Sequence, residues 1–148
     1  HVVSDSHLKE ILDKVKRPCI RYTEATEENV TQADCLIIDC YGLLSSIYRY
    51  GEISYIGGGF GVGIHNVLEA AGYGIPVIFG PNNKKFREAQ HLLEQKGGFE
   101  VTGYDDFKRL MDKFLSDEAY LQQAGKAAGN YVNHNAGALE KIMKDITL

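Results

Sequence analysis

Five glycines within the seven residues 57–63 are the feature that most restricts what this chain can fold into. A short apolar run of β-forming residues, 53–56, precedes them, and residues 66–73 after them carry a helical pattern of apolar side chains. Gly74 ends that helix, and the buried strand 77–79 follows. The pattern is that of a βαβ unit whose glycines lie at the carboxyl end of the first strand, where open parallel sheets bind ligands.

The glycine loop favours an anion. Glycine adopts positive φ and lets the backbone approach a ligand closely. The amides of such a loop, together with the free N–H groups of the following helix, point to phosphate as the simplest ligand. The loop does not match G-x-G-x-x-G in any register, and no Lys-Ser or Lys-Thr pair follows Gly63. Two common nucleotide-binding fingerprints are therefore absent from the sequence.

Three polar residues follow the loop: His65, Asn66 and Glu69. His65 and Glu69 are four residues apart and so share one helix face. A carboxylate there could accept hydrogen bonds from two ribose hydroxyls, while the imidazole or the amide faces a phosphate. Asn66 and Glu69 fit a capping-box-like pair at a helix start equally well. From the chemistry alone, both interpretations stay open.

Strands and helices alternate along the rest of the chain. This alternation predicts an α/β fold with a doubly wound parallel sheet of about five or six strands. Predicted strands cover 19–22, 36–38, 53–56, 77–79 and 99–101, and predicted helices run from Ser4 or Asp5 to about Lys16, from Asn82 or Asn83 to about Lys96, over 104–115, from Ser116 or Asp117 to a polar break at 130–135, and over 137–146.

Composition narrows the class of protein. A chain of 148 residues is one ordinary domain, and 16 basic against 20 acidic residues leave nothing that favours nucleic acid. No apolar run approaches about 18 residues, so the chain is expected to be soluble. Cys19, Cys35 and Cys40 are odd in number and lack metal spacing, which suits a reducing cytosol and predicts no metal site. The start at His1, without Met, suggests a domain from a longer protein.

The run from Gly57 to Glu88 resembles the C-terminal half of the 3-deoxy-D-manno-octulosonic acid (Kdo) transferases. These are GT-B-fold enzymes that add Kdo to lipid A precursors, and their pattern reads GGS, a loop, then GGHNxLEPAAxGxPVxFGPxxxNFRE. The departures are Gly59 for Ser, Ile64 for Gly and Ala70 for Pro. The matching residues are Gly57, Gly58, Gly63, His65, Asn66, Leu68, Glu69, Ala71, Gly74, Pro76, Val77, Phe79, Gly80, Pro81, Phe86, Arg87 and Glu88.

The resemblance, which covers roughly residues 35–140, implies that residues 1–148 are a single Rossmann-like donor-binding domain. The donor would be CMP-Kdo and the acceptor a lipid A precursor, in lipopolysaccharide biosynthesis. The family needs no metal and no cofactor. Its catalytic base, its acceptor site and its membrane association belong to an N-terminal domain, at the cytoplasmic side of the bacterial inner membrane. This chain alone would then bind the donor nucleotide weakly and transfer nothing.

The resemblance also implies donor-binding residues and, in this chain, no catalytic one. The amides of Gly58 and Gly59 would hold the phosphate, with the side chains of His65 and Asn66 near it. Glu69 would bind the ribose, and the backbone of Gly42 would contact the base. Lys85 would bind the phosphate or the carboxylate of the donor.

The turn after the second strand departs from the family. Asp39, Gly42 and Leu44 match the family's Asp-Thr-x-Gly-Glu-Leu, but Leu43 stands where the family has Glu. This departure puts a carboxylate role at the turn in doubt and leaves the backbone of Gly42 as the implied contact. Asp39 fits a ligand-side role and a loop-capping role equally well.

Two alternatives remain open. The chain could be the corresponding domain of another GT-B glycosyltransferase that uses a UDP- or GDP-sugar, because a helix Glu would keep its ribose role there. It could also be a non-catalytic nucleotide-binding or interaction module.

Overall fold

The structure is a computed structural model that describes residues 4–136. The terminal helix predicted over 137–146 lies outside these residues. Short 3₁₀ helices cover Tyr22–Glu24, Val30–Gln32 and Tyr48–Tyr50. The strands and α-helices follow in the order α1 Asp5–Lys14, β1 Cys19–Arg21, β2 Cys35–Ile37, α2 Leu44–Ile47, β3 Ser54–Ile56, α3 Leu68–Gly72, β4 Val77–Phe79, α4 Arg87–Glu94, β5 Gly98–Glu100, α5 Tyr104–Ser116 and α6 Glu118–Asn135.

Residue contacts divide the chain into two compact units, the first ending at Ser46 and the second beginning at Ile47. The first unit holds α1 and the parallel pair β1–β2, with Cys19 opposite Cys35. The side chain of Ser4 accepts a hydrogen bond from the backbone N–H of His7 and begins α1 as the sequence predicts. The single domain predicted for residues 1–148 stays a prediction.

The second unit is built on a parallel sheet in the order β3–β4–β5. Consecutive strands lie side by side, so two right-handed crossovers in one direction place both connecting helices on one face. Buried residues of α3 and α4 do share one core cluster, together with residues of α6. Helix α5 packs into a second cluster.

Strand β4 contributes to both clusters. Val77 and Phe79 face the first cluster, while Ile78 faces the second beside Phe114 of α5. All three strand residues are fully buried, which explains why this strand is a continuous apolar run rather than an alternating one. The sheet of the second unit therefore has helices on both faces, as a doubly wound arrangement requires.

The strands are divided between sheets differently from the prediction. Within residues 4–136 the five strands form two sheets, of two and three strands. The α/β class and the parallel pairing are confirmed, whereas a sheet of five or six strands is not. None of the helices in this part of the chain is long and apolar enough to cross a membrane.

The polar break predicted at 130–135 is wrong, because α6 runs unbroken to Asn135. Tyr131 is buried and Val132 packs against the first core cluster, while Asn130 and Asn133 are exposed. The polar side chains thus occupy the solvent face of an amphipathic helix.

Candidate functional site

Two segments meet at the carboxyl ends of the central strands. The glycine loop, residues 57–63, follows β3, and the β4–α4 segment, residues 80–86, follows β4. Because β3 and β4 pair in parallel, with Ile56 beside Phe79, both segments leave the sheet at the same edge. A cleft of about 540 Å³ lies here, lined by Val62 and by residues of the β4–α4 segment.

The glycine loop folds back on itself. The N–H of Gly61 donates to the carbonyl of Gly58 at 2.9 Å, and the N–H of His65 donates to the carbonyl of Gly57 at 3.1 Å. Gly58 has φ +89°, and a Cβ placed on it would lie 2.2 Å from the carbonyl oxygen of Gly63. Only glycine fits position 58 without moving the backbone.

The loop also packs against the β4–α4 segment. A Cβ on Gly59 would lie 2.5 Å from the backbone nitrogen of Gly80, so the two backbones are in direct contact. Asn82 donates from its backbone N–H to the carbonyl of Gly59 at 2.9 Å, and from its side-chain amide to the carbonyl of Gly61 at 2.6 Å. The ring of Phe86 lies against Gly63 on the same side.

Several backbone amides of the loop donate no hydrogen bond within residues 4–136; they are those of Gly58, Gly59, Phe60, Val62 and Gly63. A group of neighbouring free N–H donors favours an anion. Helix α3 has five residues, so its dipole adds less than the sequence suggested and the loop amides carry most of this preference. Gly58 is exposed, whereas Gly59 is buried against Gly80.

Asn66 and Glu69 are joined by a hydrogen bond where α3 begins, whereas His65 precedes the helix and does not share a helix face with Glu69 as predicted. The side-chain oxygen of Asn66 accepts from the N–H of Leu68 at 2.9 Å, and its amide donates to Oε1 of Glu69 at 2.8 Å. The imidazole of His65 lies beside Gly58, with Nε2 3.2 Å from the position of a Cβ there. Asn66 therefore satisfies the first N–H of the helix through a local turn, while the cap position itself is Val67 and makes no side-chain hydrogen bond.

Glu69 departs from a capping box. Its carboxylate accepts from the side chain of Asn66 rather than from the Asn66 backbone N–H. In the part of the chain that the structure describes, Oε2 of Glu69 accepts no hydrogen bond. Glu69 as a residue is half-buried, and this second oxygen is available to hydroxyl donors.

Tyr48 is a neighbour of Glu69 that the sequence did not indicate. Burial raises the pKa of the Tyr48 phenol above its usual value, and the negative charge of Glu69 raises it further. Its ring packs against the first core cluster. The two residues are 21 positions apart in sequence, and no local pattern joins them.

The β4–α4 segment is not the helix start that the sequence predicts. Helix α4 begins at Arg87, after Phe86. Asn83 is fully buried; its amide donates to the carbonyl of Gly80 at 2.9 Å and to Oε2 of Glu100 at 2.6 Å. The side chain of Gln90 donates to Oδ1 of Asn83 at 2.6 Å. Asn82 and Asn83 thus fix the segment instead of capping a helix.

Lys84 and Lys85 project from this fixed segment into the cleft. Both side chains are exposed and line it together with Val62 and Glu100. Within residues 4–136 neither lysine forms a salt bridge. The predicted donor-binding Lys85 therefore lies at the same edge of the sheet as the glycine loop.

The turn after β2 belongs to the first unit. The Asp39 side chain is 0% exposed and accepts hydrogen bonds from Nε of Arg21 at 2.8 Å, from the Thr23 N–H at 3.0 Å and from the Thr23 hydroxyl at 2.6 Å. This geometry favours the loop-capping role of Asp39. Gly42 follows in an exposed turn with φ +90° and lines a cleft of about 330 Å³.

Asp39 is expected to stabilise the fold in a pH-dependent manner. Hydrogen bonds from the Thr23 hydroxyl and backbone, and the Arg21 guanidinium, lower the pKa of Asp39 to about 2 despite its burial. The unfolded value is about 3.9, so this stabilisation is complete above that pH and is lost as the pH falls toward 2. Asp39→Asn should lower the Tm at pH 7 by about 5 °C or more.

Thermal denaturation of both proteins from pH 7 to pH 2 checks this expectation. The difference in Tm should shrink as the pH falls. Asp34→Asn is the control, because Asp34 makes an exposed ion pair with Arg17 at 3.4 Å and should change Tm by less than about 2 °C. A Tm difference for Asp39→Asn that stays constant down to pH 2 would contradict the carboxylate role.

Residues 4–136 contain no group of three His, Cys, Asp or Glu side chains placed to hold a metal ion. The three cysteines are free thiols. Backbone amides, the carboxylate of Glu69 and the imidazole of His65 lie at the glycine loop, and Lys84 and Lys85 line the cleft beside it.

Comparison with known proteins supplies further information. The chain is 37% identical over 87 residues, 57% of its length, to a 3-deoxy-D-manno-octulosonic acid transferase of Aquifex aeolicus. It is 28% identical over 95% of its length to the enzyme of the same name from Rickettsia felis. The chain spans 25% and 31% of the length of these relatives. No family model matches the chain.

A solved structure has the same fold. It is the C-terminal CMP-Kdo binding domain of WaaA from Acinetobacter baumannii, with a TM-score of 0.73 at 16% identity. The match covers 86% of this chain and 67% of that one. The chain is thus similar in sequence to the Kdo transferases and in fold to the C-terminal CMP-Kdo binding domain of WaaA, which confirms the resemblance found at the glycine loop.

Proposed function

We propose that this chain is the donor-binding domain of a Kdo transferase and that its ligand is CMP-Kdo. The observation that carries the proposal is the cluster of free backbone amides in the glycine loop, at the edge of the sheet where Lys85 and Glu69 also lie. The sequence similarity to Kdo transferases supports the choice of donor.

The phosphate of CMP would bind at the glycine loop. Exposed Gly58 offers its N–H directly, and the neighbouring amides of Phe60 and Val62 point to the same anion preference. The imidazole of His65 lies beside Gly58 and Asn66 follows it in the chain, which supports a role for both near that phosphate. Buried Gly59 serves mainly through its contact with Gly80, and its amide contact to the phosphate remains a proposal.

The ribose would bind at Glu69. Its Oε1 is held by Asn66 at 2.8 Å, which orients the carboxylate, and its Oε2 is left to accept from the ribose hydroxyls. Lys85 would attract the phosphate or the sugar carboxylate from the cleft beside Val62. The resemblance of its turn to the family pattern supports the proposal that the backbone of Gly42 contacts the base.

In the reaction we propose for the whole enzyme, the bond between the anomeric carbon of Kdo and the phosphate oxygen breaks. CMP leaves with the electron pair, and a hydroxyl of a lipid A precursor forms the new bond while a base takes its proton. The leaving phosphate gains charge as that bond breaks, and fixed loop amides stabilise such charge. We propose that the base, the acceptor site and the contact with the inner membrane belong to a further domain. We also propose that residues 1–148, without that further domain, are soluble and inactive.

The proposal is tested by calorimetric titration of this chain with CMP, UMP, AMP and cytidine. We expect CMP to bind best, with a Kd of about 0.1 mM or weaker because one domain leaves the nucleotide partly open to water. Cytidine should bind at least about tenfold more weakly because it lacks the phosphate that the loop amides recognise.

Other outcomes would change the assignment. Preference for UMP, or for GMP added to the series, would favour a GT-B domain that uses a UDP- or GDP-sugar. No nucleotide binding at millimolar concentration would contradict a donor site in this chain and favour an interaction module. Kdo transfer by this chain alone would contradict the assignment of the base to another domain.

A further inference from the structure

The β4–α4 segment, residues 80–86, holds the glycine loop in place. Asn82 donates two hydrogen bonds to loop carbonyls, at 2.9 Å to Gly59 and at 2.6 Å to Gly61. The second of these comes from a side chain that is itself exposed at the surface. Because Gly61 also donates to Gly58, the contact fixes the tip of the loop rather than only its base.

The backbone contact beneath Asn82 makes this arrangement specific. Gly59 and Gly80 approach so closely that a Cβ on Gly80 would lie 2.7 Å from the backbone carbon of Gly59 and 2.8 Å from the ring of Phe60. Such van der Waals contacts limit the position of the loop backbone but do not set the orientation of its peptide planes. A directional hydrogen bond from Asn82 sets the orientation of the peptide planes, and therefore of the N–H groups on their other side.

Asn82 is itself carried by a rigid support. The neighbouring Asn83 is fully buried and is bound to Gly80, to Glu100 of β5 and to Gln90 of α4, at 2.9, 2.6 and 2.6 Å. The segment is therefore attached to β5 and to α4 by hydrogen bonds. A fully satisfied buried amide network of this kind rigidifies its surroundings. Asn82 is therefore held by a rigid segment where it contacts the glycine loop.

We propose that Asn82 is a positioning residue, which aligns the glycine-loop amides for the donor phosphate through its hydrogen bonds to the loop carbonyls. The proposal deepens the proposed function and rests on it. Preorganised donors bind an anion more tightly than mobile ones because the ordering cost is met before binding. The side chain of Asn82 belongs to neither core cluster and makes no hydrogen bond to Asn83. Its loss should therefore leave the core clusters and the Asn83 network intact.

Two variants test the proposal, Asn82→Ala and the nearly isosteric Asn82→Asp, which cannot donate to the Gly61 carbonyl. We expect the Tm of both to stay within about 2 °C of the parent, because the side chain is exposed. The Kd for CMP should rise about fivefold or more in Asn82→Ala, which removes the hydrogen bond without adding a negative charge beside the phosphate site. Without ligand, the ¹⁵N order parameters of the amides of residues 58–63 should fall from about 0.85 toward about 0.6.

The controls separate positioning from stability. Asn130→Ala removes an exposed asparagine on α6 that is far from the loop in sequence and should change neither affinity nor loop order. Unchanged order parameters in both Asn82 variants would overturn the proposal, and so would a lower Tm with an unchanged Kd. If the parent fails to bind CMP, the proposed function fails, and the order parameters of the ligand-free loop alone decide whether Asn82 sets its conformation.

Discussion

Replacing Glu69 by alanine is expected to weaken CMP binding by about tenfold, which corresponds to 1.4 kcal/mol. The substitution removes the Oε2 that we assign to the ribose hydroxyls and the Oε1 that Asn66 holds at 2.8 Å. Hydrogen bonds to a charged acceptor contribute about 1.5–3 kcal/mol, so partial exposure to water still leaves an effect of this size. Calorimetric titration of parent and variant with CMP measures it.

Further variants decide between ribose binding and capping. Glu69→Gln keeps an oxygen for Asn66 but loses the charge, so it should bind CMP with an affinity between those of the parent and Glu69→Ala. Asn66→Ala removes the hydrogen bonds that its side chain makes to the Leu68 N–H and to Glu69 and should lower Tm by several degrees. Glu94→Ala, at an exposed position of α4, should change neither quantity. A Glu69→Ala protein with lower Tm and unchanged CMP affinity would show that Glu69 only caps α3.

Replacing Gly125 by alanine is expected to cost about 2 kcal/mol of stability, or about 10 °C in Tm. A Cβ on Gly125 would lie 2.3 Å from the carbonyl oxygen of Gly74. That atom belongs to the backbone of the turn after α3, so α6 itself would have to shift. The neighbouring Gly129 also packs on Gly74, with a Cβ position 3.2 Å from its Cα. The expected strain exceeds the gain of about 1 kcal/mol in helix propensity.

Gly72→Ala is the matched control for this change. Gly72 is also helical, but a Cβ there would make only an ordinary contact, 3.7 Å from Cγ1 of Val132. Its Tm should equal or slightly exceed that of the parent. Thermal and urea denaturation compare the two variants, and equal stability of both would mean that α6 does not approach Gly74 as closely as the structure shows.

The glycine loop and the central βαβ unit could be predicted from sequence because the patterns that indicate them are local. A run of β-formers, a cluster of glycines, a helical period and a C-terminal glycine each concern residues within about one turn or strand of each other. Strand β4 was predicted at its observed bounds, Val77–Phe79, since it is buried on both faces and needs no partner to be recognised. The resemblance to the Kdo transferases followed from the same stretch.

The functional surroundings of the loop depended on contacts between distant residues. The sequence predicts Asn82 or Asn83 as a helix cap. In the structure, Asn82 is hydrogen-bonded to the glycine loop, and Asn83 is hydrogen-bonded to β5 and α4. The proximity of Tyr48 to Glu69 and the burial of Asp39 against Thr23 likewise had no local signal. A polar side chain has several possible partners, and only the packed fold selects which of them lies within hydrogen-bond distance.

The sequence by itself determined where the glycine loop begins and ends, the α/β class, and the family that the loop resembles. Glycine content and apolar periodicity act through the backbone of the segment that contains them, so they need no knowledge of the rest of the chain. The tertiary structure alone decided that the strands of residues 4–136 form two sheets, that α6 continues to Asn135, and that Asn82 supports the loop. These features arise from pairing and burial between segments far apart in sequence, and a local pattern carries no information about such partners.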